Sequence, residues 1–262
     1  MTTPGTGGDA QNGRAMLRFE SAYGAHAIAI PVPPPQATAL DLLPAARELS
    51  GKTTELALER ERAAGRSISC RAACGACCRQ LVAISVVEAE SLAQLVAAMP
   101  EERAAVIRGR FAAAVKRLED AGLLSTDEPP GSRALVVKGE NTMEDARRKI
   151  SRTYFSLGIP CPFLESESCS IHPARPMVCR EYHVTSPAER CARLYSEEVD
   201  RVDVPWRMGG VLARTYAKVT GGEVLMIPLT LSLEWSGAHS AEITAQHDGR
   251  VLMDAMVQEL SS

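Results

Sequence analysis

The sequence predicts a mainly α-helical fold, a single helical domain with an irregular, cysteine- and proline-rich metal-binding segment and a minor β element. Three observations carry that expectation. Apolar residues recur at helical spacing, most clearly at Ile107, Phe111, Ala114 and Leu118. A capping box, Ser85-Val-Val-Glu88, opens one such run, its Ser oxygen and Glu carboxylate each able to satisfy a free backbone N–H. By contrast, residues 158–185 carry prolines at 160, 162, 173 and 176, which forbid a long helix or a central strand.

The elements follow in order. Residues 1–15, rich in Gly, Thr, Asn and Asp, read as a disordered tail. Residues 16–36 read as an extended arm or short hairpin turning near Tyr23–Gly24 and ended by Pro31, Pro33, Pro34 and Pro35. The remainder, 37–262, reads as a cysteine-cluster domain with its metal-binding core over 66–195. From about Ala37 to Ala64 a helix is expected, bent or divided at Gly51. The Ser85 box opens a helix to about Met99, and a second follows Pro100 and ends near Gly122. After a loop at 125–133, a helix from Thr142 to Leu157 carries Ala146, Ile150, Tyr154 and Leu157 on one face. Ser186-Pro-Ala-Glu189 reads as a second capping box, which puts Cys191 in the first turns of a new helix. Apolar stretches at 211–219 and 224–235 precede a final helix from Arg250 to Leu260.

The composition, 45% hydrophobic and 23% charged over 262 residues, is that of a globular chain able to bury a core without crosslinks. A net charge of −3 argues against a broad nucleic-acid binder. No apolar run approaches the ~18 residues of a membrane span. The N-terminus has neither the basic nor the apolar region of a secretory signal. A cytoplasmic protein is expected, with a metal ion as its partner, no membrane, no nucleic acid indicated and no protein partner specified.

The eight cysteines fall in two groups, Cys70, Cys74, Cys77 and Cys78, then Cys161, Cys169, Cys179 and Cys191. Clustering of this kind in a reducing compartment points to metal rather than disulfides. Thiolates three and four residues apart can converge on one centre, and Gly75 with its small alanine neighbours lets the backbone close around an ion. Adjacent side chains diverge, so Cys77 and Cys78 do not easily share one tetrahedral ion. One of them would serve a second ion, bridge two, or act from outside the ligand shell. Four and four fits two Cys₄ zinc sites, or one four-iron cluster with four spare thiols. A thiol redox pair at Cys77–Cys78 is the competing reading. Arg175, Arg180 and the helix start at Ser186 are placed to offset thiolate charge, unless the arginines pair with Glu165, Glu167 and Glu181. His172 and His183 read as packing or hydrogen-bonding residues rather than ligands, and His26, His239 and His247 have no motif context.

The run Cys-x3-Cys-x2-Cys-Cys, with Ile-Pro-Cys161-Pro-Phe-Leu and Cys169-Ser-Ile-His172-Pro-x-Arg175-Pro-x-x-Cys179-Arg180, resembles the YkgJ-type cysteine-cluster proteins. The motifs cover about residues 70–191. The family commonly has Tyr at the position of His172. The resemblance implies zinc or iron chelation, an iron–sulfur cluster included, by these cysteines. Flagellin lysine N-methylases carry a related cluster, so an iron–sulfur redox or lysine-methylating enzyme is the alternative function. No catalytic residue is assigned, because no nucleophile–base set, HExxH or carboxylate pair stands out. Gly51-Lys52-Thr53 imitates a phosphate loop and Gly5-Thr-Gly7-Gly8 a dinucleotide fingerprint, but neither follows a strand. Cys70-x3-Cys74-x2-Cys77 has the spacing of radical S-adenosylmethionine enzymes, without the usual aromatic residue before the last cysteine.

Overall fold

A computed structural model describes residues 5–6, 13–21, 24–125, 127–137, 139–140 and 142–261. Most of the expected tail, and Tyr23 at the expected turn, lie outside the described residues. Strands β1 (Gly5–Thr6), β2 (Arg14–Ser21) and β3 (Gly24–Pro31) form an antiparallel sheet in that order. The β2–β3 register pairs Arg14 with Pro31 and Leu17 with Ile28. Alternation along the strands sends Leu17, Phe19 and Ile30 into the core, where the Phe19 ring meets Trp206 at 4.5 Å. Strand β4 (Gln36–Ala37) leads into a 3₁₀ turn, Ala39–Leu42, started by Thr38, whose amide donates to Asp41 at 2.7 Å.

Helix α1 (Leu43–Ala63) runs unbroken through Gly51. That glycine is exposed, with open space where a Cβ would stand, so its cost is only the ~1 kcal/mol of intrinsic propensity. Gly51-Lys52-Thr53 is therefore mid-helix and forms no phosphate loop. Strand β5 (Ala83–Ser85) delivers the chain to α2 (Val86–Ala97) through the expected capping box. The Glu88 amide donates to Ser85 Oγ at 3.3 Å, and the Ser85 amide to Glu88 Oε2 at 3.0 Å. Helix α3 (Glu101–Asp120) buries Ile107, Phe111, Ala114 and Leu118, as their spacing requires. Helix α4 (Met143–Leu157) starts at Thr142, which accepts from the Asp145 amide at 3.1 Å. Its Tyr154 is buried, with Ala146, Ile150 and Leu157 partly so.

Past Gly158 the chain breaks into short pieces: β6 (Leu164–Glu165), β7 (Ser168–Cys169), a 3₁₀ turn His172–Ala174, and α5 (Met177–Glu181). The sequence offered little besides metal to order this segment, and the structure supplies other anchors. Phe163, Ile171, Met177 and Val184 are buried, the Met177 amide donates to Glu88 Oε1 at 2.7 Å, and Glu181 accepts from Ser50 and from the Met208 amide, each at 3.0 Å. The second expected capping box does not form. Ser186 Oγ instead accepts from the Asp200 amide at 3.1 Å, Glu189 pairs with Arg71, and Ala188–Arg193 is a 3₁₀ helix with no side-chain cap. A tertiary partner has taken the oxygen that local sequence assigned to the cap.

Helix α6 (Met208–Thr220) is followed by β8 (Met226–Pro228), a 3₁₀ turn Leu229–Leu231, α7 (Ser232–Ile243), β9 (His247–Asp248) and α8 (Gly249–Glu259). Asp248 caps α8 through the Arg250 amide at 2.7 Å. Two-stranded pairs β4–β9 and β5–β8 tie the C-terminal third to the front of the chain. The main core gathers residues from β2, β3, α1, α2, α3, α6, α7 and α8, so the architecture is mainly α with minor antiparallel pairs. Among the described residues no helix is long and apolar enough to cross a membrane.

Candidate metal centre

Residues 66–74 have no regular secondary structure, and Ala76–Arg79 form one 3₁₀ turn that carries Cys77 and Cys78. Two backbone bonds dock this loop on the second cysteine segment. The Ser69 amide donates to the Val184 carbonyl at 2.9 Å, and the Cys161 amide to the Cys78 carbonyl at 2.7 Å. Gly75 lies where the two groups press together: a Cβ there would stand 2.7 Å from Leu164 Cδ1 and 2.6 Å from Glu167 Oε2. Arg79 spans the same seam, donating to the Gly75 carbonyl at 3.0 Å and to both Glu167 oxygens at 3.0 and 2.6 Å. Sequence reasoning missed Arg79. Its position directly after Cys78 was the available signal.

The result is a cavity of about 600 Å³ into which seven of the eight expected ligands open: Cys70, Cys74, Cys77, Cys78, Cys161, Cys169 and Cys179. Cys191 does not line it. It is buried, with Sγ 4.0 Å from the Tyr182 hydroxyl, on a turn packed against Ala76–Arg79. All eight are free thiols. Among the described residues, no three His, Cys, Asp or Glu side chains are already drawn into a closed metal cage.

Burial pushes the Cys161 thiol up to about 12 and the Cys179 thiol well above its ordinary range, and thiolates at Cys77 and Cys169 push both the same way. Cys77 is raised first by its hydrogen bond with Cys78 and then by burial. Burial raises Cys191 too, as do its neighbours Cys70, Cys77 and Cys74. A sulfur-rich cavity that makes isolated thiolates costly is suited to a cation, which relieves both burial and mutual repulsion once the protons leave. The donor set therefore fits a thiophilic metal. Arg175 opposes the trend, its charge favouring the thiolate forms of Cys70, Cys77 and Cys169.

The expected charge partners divide. Arg175 lines the cavity, whereas Arg180 turns to the carbonyls of Arg175 and Pro173. With no capped helix at Ser186, no helix dipole is offered there. Their expected glutamate competitors are engaged elsewhere: Glu165 with Arg103 and Arg110, Glu167 with Arg79, and Glu181 in the core. His172 and His183 both line the cavity. His172 is exposed, while the buried Nδ1 of His183 has no hydrogen-bond partner.

A mainly helical frame holding a thiol-lined cavity defines a class, the cysteine-cluster metal-chelating proteins. Comparison with known families agrees: the model of the CxxCxxCC family, described as a "Putative zinc- or iron-chelating domain", matches residues 69–201. The chain belongs to that family. It has three residues rather than two between its first cysteines, and Ala73 in that interval takes a left-handed φ of 57°. No curated protein and no solved structure matches the chain.

Proposed function

We propose that the protein is a thiolate metal-binding protein of a reducing, cytoplasmic compartment, holding zinc or iron with Cys70, Cys74, Cys77, Cys78, Cys161, Cys169, Cys179 and Cys191 in a core over 66–195. The observation that carries this reading is the convergence of seven thiols, from segments about ninety residues apart, on one cavity. The mutual influences divide the ligands into two sets. Cys191 is influenced by the charges of Cys70 and Cys74, and Cys179 by those of Cys161 and Cys169, with Cys77 felt by both. Cys77 and Cys78 would then complete one set each, which resolves the divergence of adjacent side chains. When bound, zinc would supply a structural clamp, and iron with sulfide a one-electron redox centre.

The iron–sulfur reading draws on the same thiols, since iron and zinc both take thiolate ligands. The lysine-methylating alternative rests on resemblance alone. Anaerobic purification, with visible absorption and Zn, Fe and sulfide counted per chain, separates these readings. Colourless protein with two zincs is expected for two Cys₄ sites, and brown protein with iron and sulfide for a cluster. Neither metal in protein purified from metal-replete cells overturns metal binding.

A further inference from the structure

The arginines about the thiol-lined cavity are engaged, with one exception. Arg71 pairs with Glu189 at 3.2 Å, and Arg79 at the seam takes both oxygens of Glu167. Arg180 donates to the Arg175 carbonyl at 3.0 Å and to the Pro173 carbonyl. Arg175 lines the cavity half-buried, and among the described residues its guanidinium has no carboxylate or carbonyl partner. Glu88 borders a neighbouring space of about 10 Å³ with Arg175 and Arg47, but its oxygens already accept from the Ser85 and Met177 amides. The Arg175 charge holds His172 below the ordinary histidine range. Burial and then Arg175 do the same to His183, so neither ring adds a second cation near neutral pH. The backbone that presents Arg175 is held on both sides. Residues 172–174 form a 3₁₀ turn, Pro173 and Pro176 fix their own φ, and the Met177 amide is tied to Glu88. The two Arg180 bonds fasten the carbonyls of that turn. A charged group drawn partly out of water is normally paired. The anions left for Arg175 in this cavity are thiolates, which form in number once metal displaces their protons.

We propose that Arg175 is the counter-charge of the filled metal centre, serving both cysteine segments, and that Arg180 is the positioning residue that holds it there. The inference rests on the metal-binding reading and deepens it by naming what stabilises the filled state. On loading, each ligating thiol gives its proton to water and a sulfur–metal bond forms, with the metal's oxidation state unchanged. Four thiolates on one Zn²⁺ leave an excess of negative charge that the ion does not cancel. Arg175 favours the thiolate forms of Cys70 and Cys77 in the first segment and of Cys169 in the second, so one guanidinium reaches both. In the metal-free protein the same charge has no anion to meet. Arg175 therefore acts with opposite sign in the two states, opposing the empty fold and favouring the loaded one. The two arginines, alike in the sequence motif, do different things.

The test measures the Zn²⁺ affinity of the full chain by competition with a chelator of known strength, beside the melting temperature of the metal-free protein. Arg175→Gln is expected to weaken Zn²⁺ binding by roughly ten- to a hundredfold, while the metal-free melting temperature stays the same or rises. Arg175→Lys, which keeps the charge, should recover most of the affinity. Unchanged affinity in Arg175→Gln, or a Lys variant as weak as the Gln variant, overturns the counter-charge. A lower metal-free melting temperature in Arg175→Gln overturns it too, because that result makes the residue a structural one. Arg180→Gln should also lose affinity, and the double variant should lose no more than Arg175→Gln alone. Additive losses overturn the positioning role of Arg180. Wild-type protein that binds no Zn²⁺ overturns the metal-binding reading itself, whereas normal wild-type binding with an unchanged Gln variant overturns only the counter-charge.

Discussion

The two cysteine-bearing segments are built differently. The second, residues 159–191, sinks Ile159, Phe163, Ile171, Met177, Val184 and Ala188 into the protein and is fastened at Met177 and Glu181 by hydrogen bonds from distant elements. The first, 66–82, buries only Gly75 and holds to its neighbour by polar contacts: two backbone bonds, the Ser69 hydroxyl on the Thr185 carbonyl, Gln80 on Tyr182, and the pairs Arg79–Glu167 and Arg71–Glu189. One half of the site is thus anchored in the core and the other lies across it as a loop held by polar contacts. The metal's structural work should fall on the first segment, although the second has the irregular sequence.

The sharpest break of that comparison is Phe163→Ala. Phe163 is 1% exposed and packs edge-on against Phe111 at 5.5 Å, so its loss should cost about 3–5 kcal/mol in chemical denaturation of the whole protein. No single truncation between residues 66 and 74 should approach that. Metal removal comes next. For Zn²⁺ held at a hundred times its Kd, stripping should speed hydrogen exchange over 66–82 by about a hundredfold, and the amides of 176–184 should stay protected. Equal loosening of both segments would show that they form one metal-dependent unit. Gly75→Ala forces the loop off Leu164 and Glu167, at a cost of about 1–3 kcal/mol. Weakened Zn²⁺ retention with a retained helical circular dichroism spectrum would locate that cost at the seam. Arg79→Ala removes a half-exposed bidentate pair, for about 0.5–1 kcal/mol, and should raise protease sensitivity near residues 70–80 with the global melting point nearly unchanged. Smallest is Ala73→Gly, which relieves a left-handed backbone and should stabilise the loop by about 1 kcal/mol or less.

What could be read from the sequence was local. Ser85 and Glu88 are three residues apart and cap α2 with their own atoms, and the face of α3 follows from spacing alone. The same logic failed at Ser186, where the Asp200 amide competes for the hydroxyl, and overstated Gly51, whose surroundings are open solvent. Pairing of Ala83 with Pro228, and the buried Glu90 bonds to Ser236 and Ser240, join positions about 150 residues apart and leave no local trace. At the site, cysteine spacing marked the donors. It did not mark that Cys191 is buried outside the cavity lining, that Arg180 turns to carbonyls, or that Arg79 and Glu167 close the seam.

Glu88 has a further consequence for assembly. By starting α2 and also accepting the Met177 amide, it joins positions 89 residues apart. Closing a flexible loop of that length carries a length-dependent entropy of about 4 kcal/mol at 25 °C. The fold meets that expense with a carboxylate and apolar packing, neither of which involves a cysteine. The bond that starts α2 therefore also locates residue 177, two positions before Cys179, so the second cysteine segment takes its place from a core carboxylate.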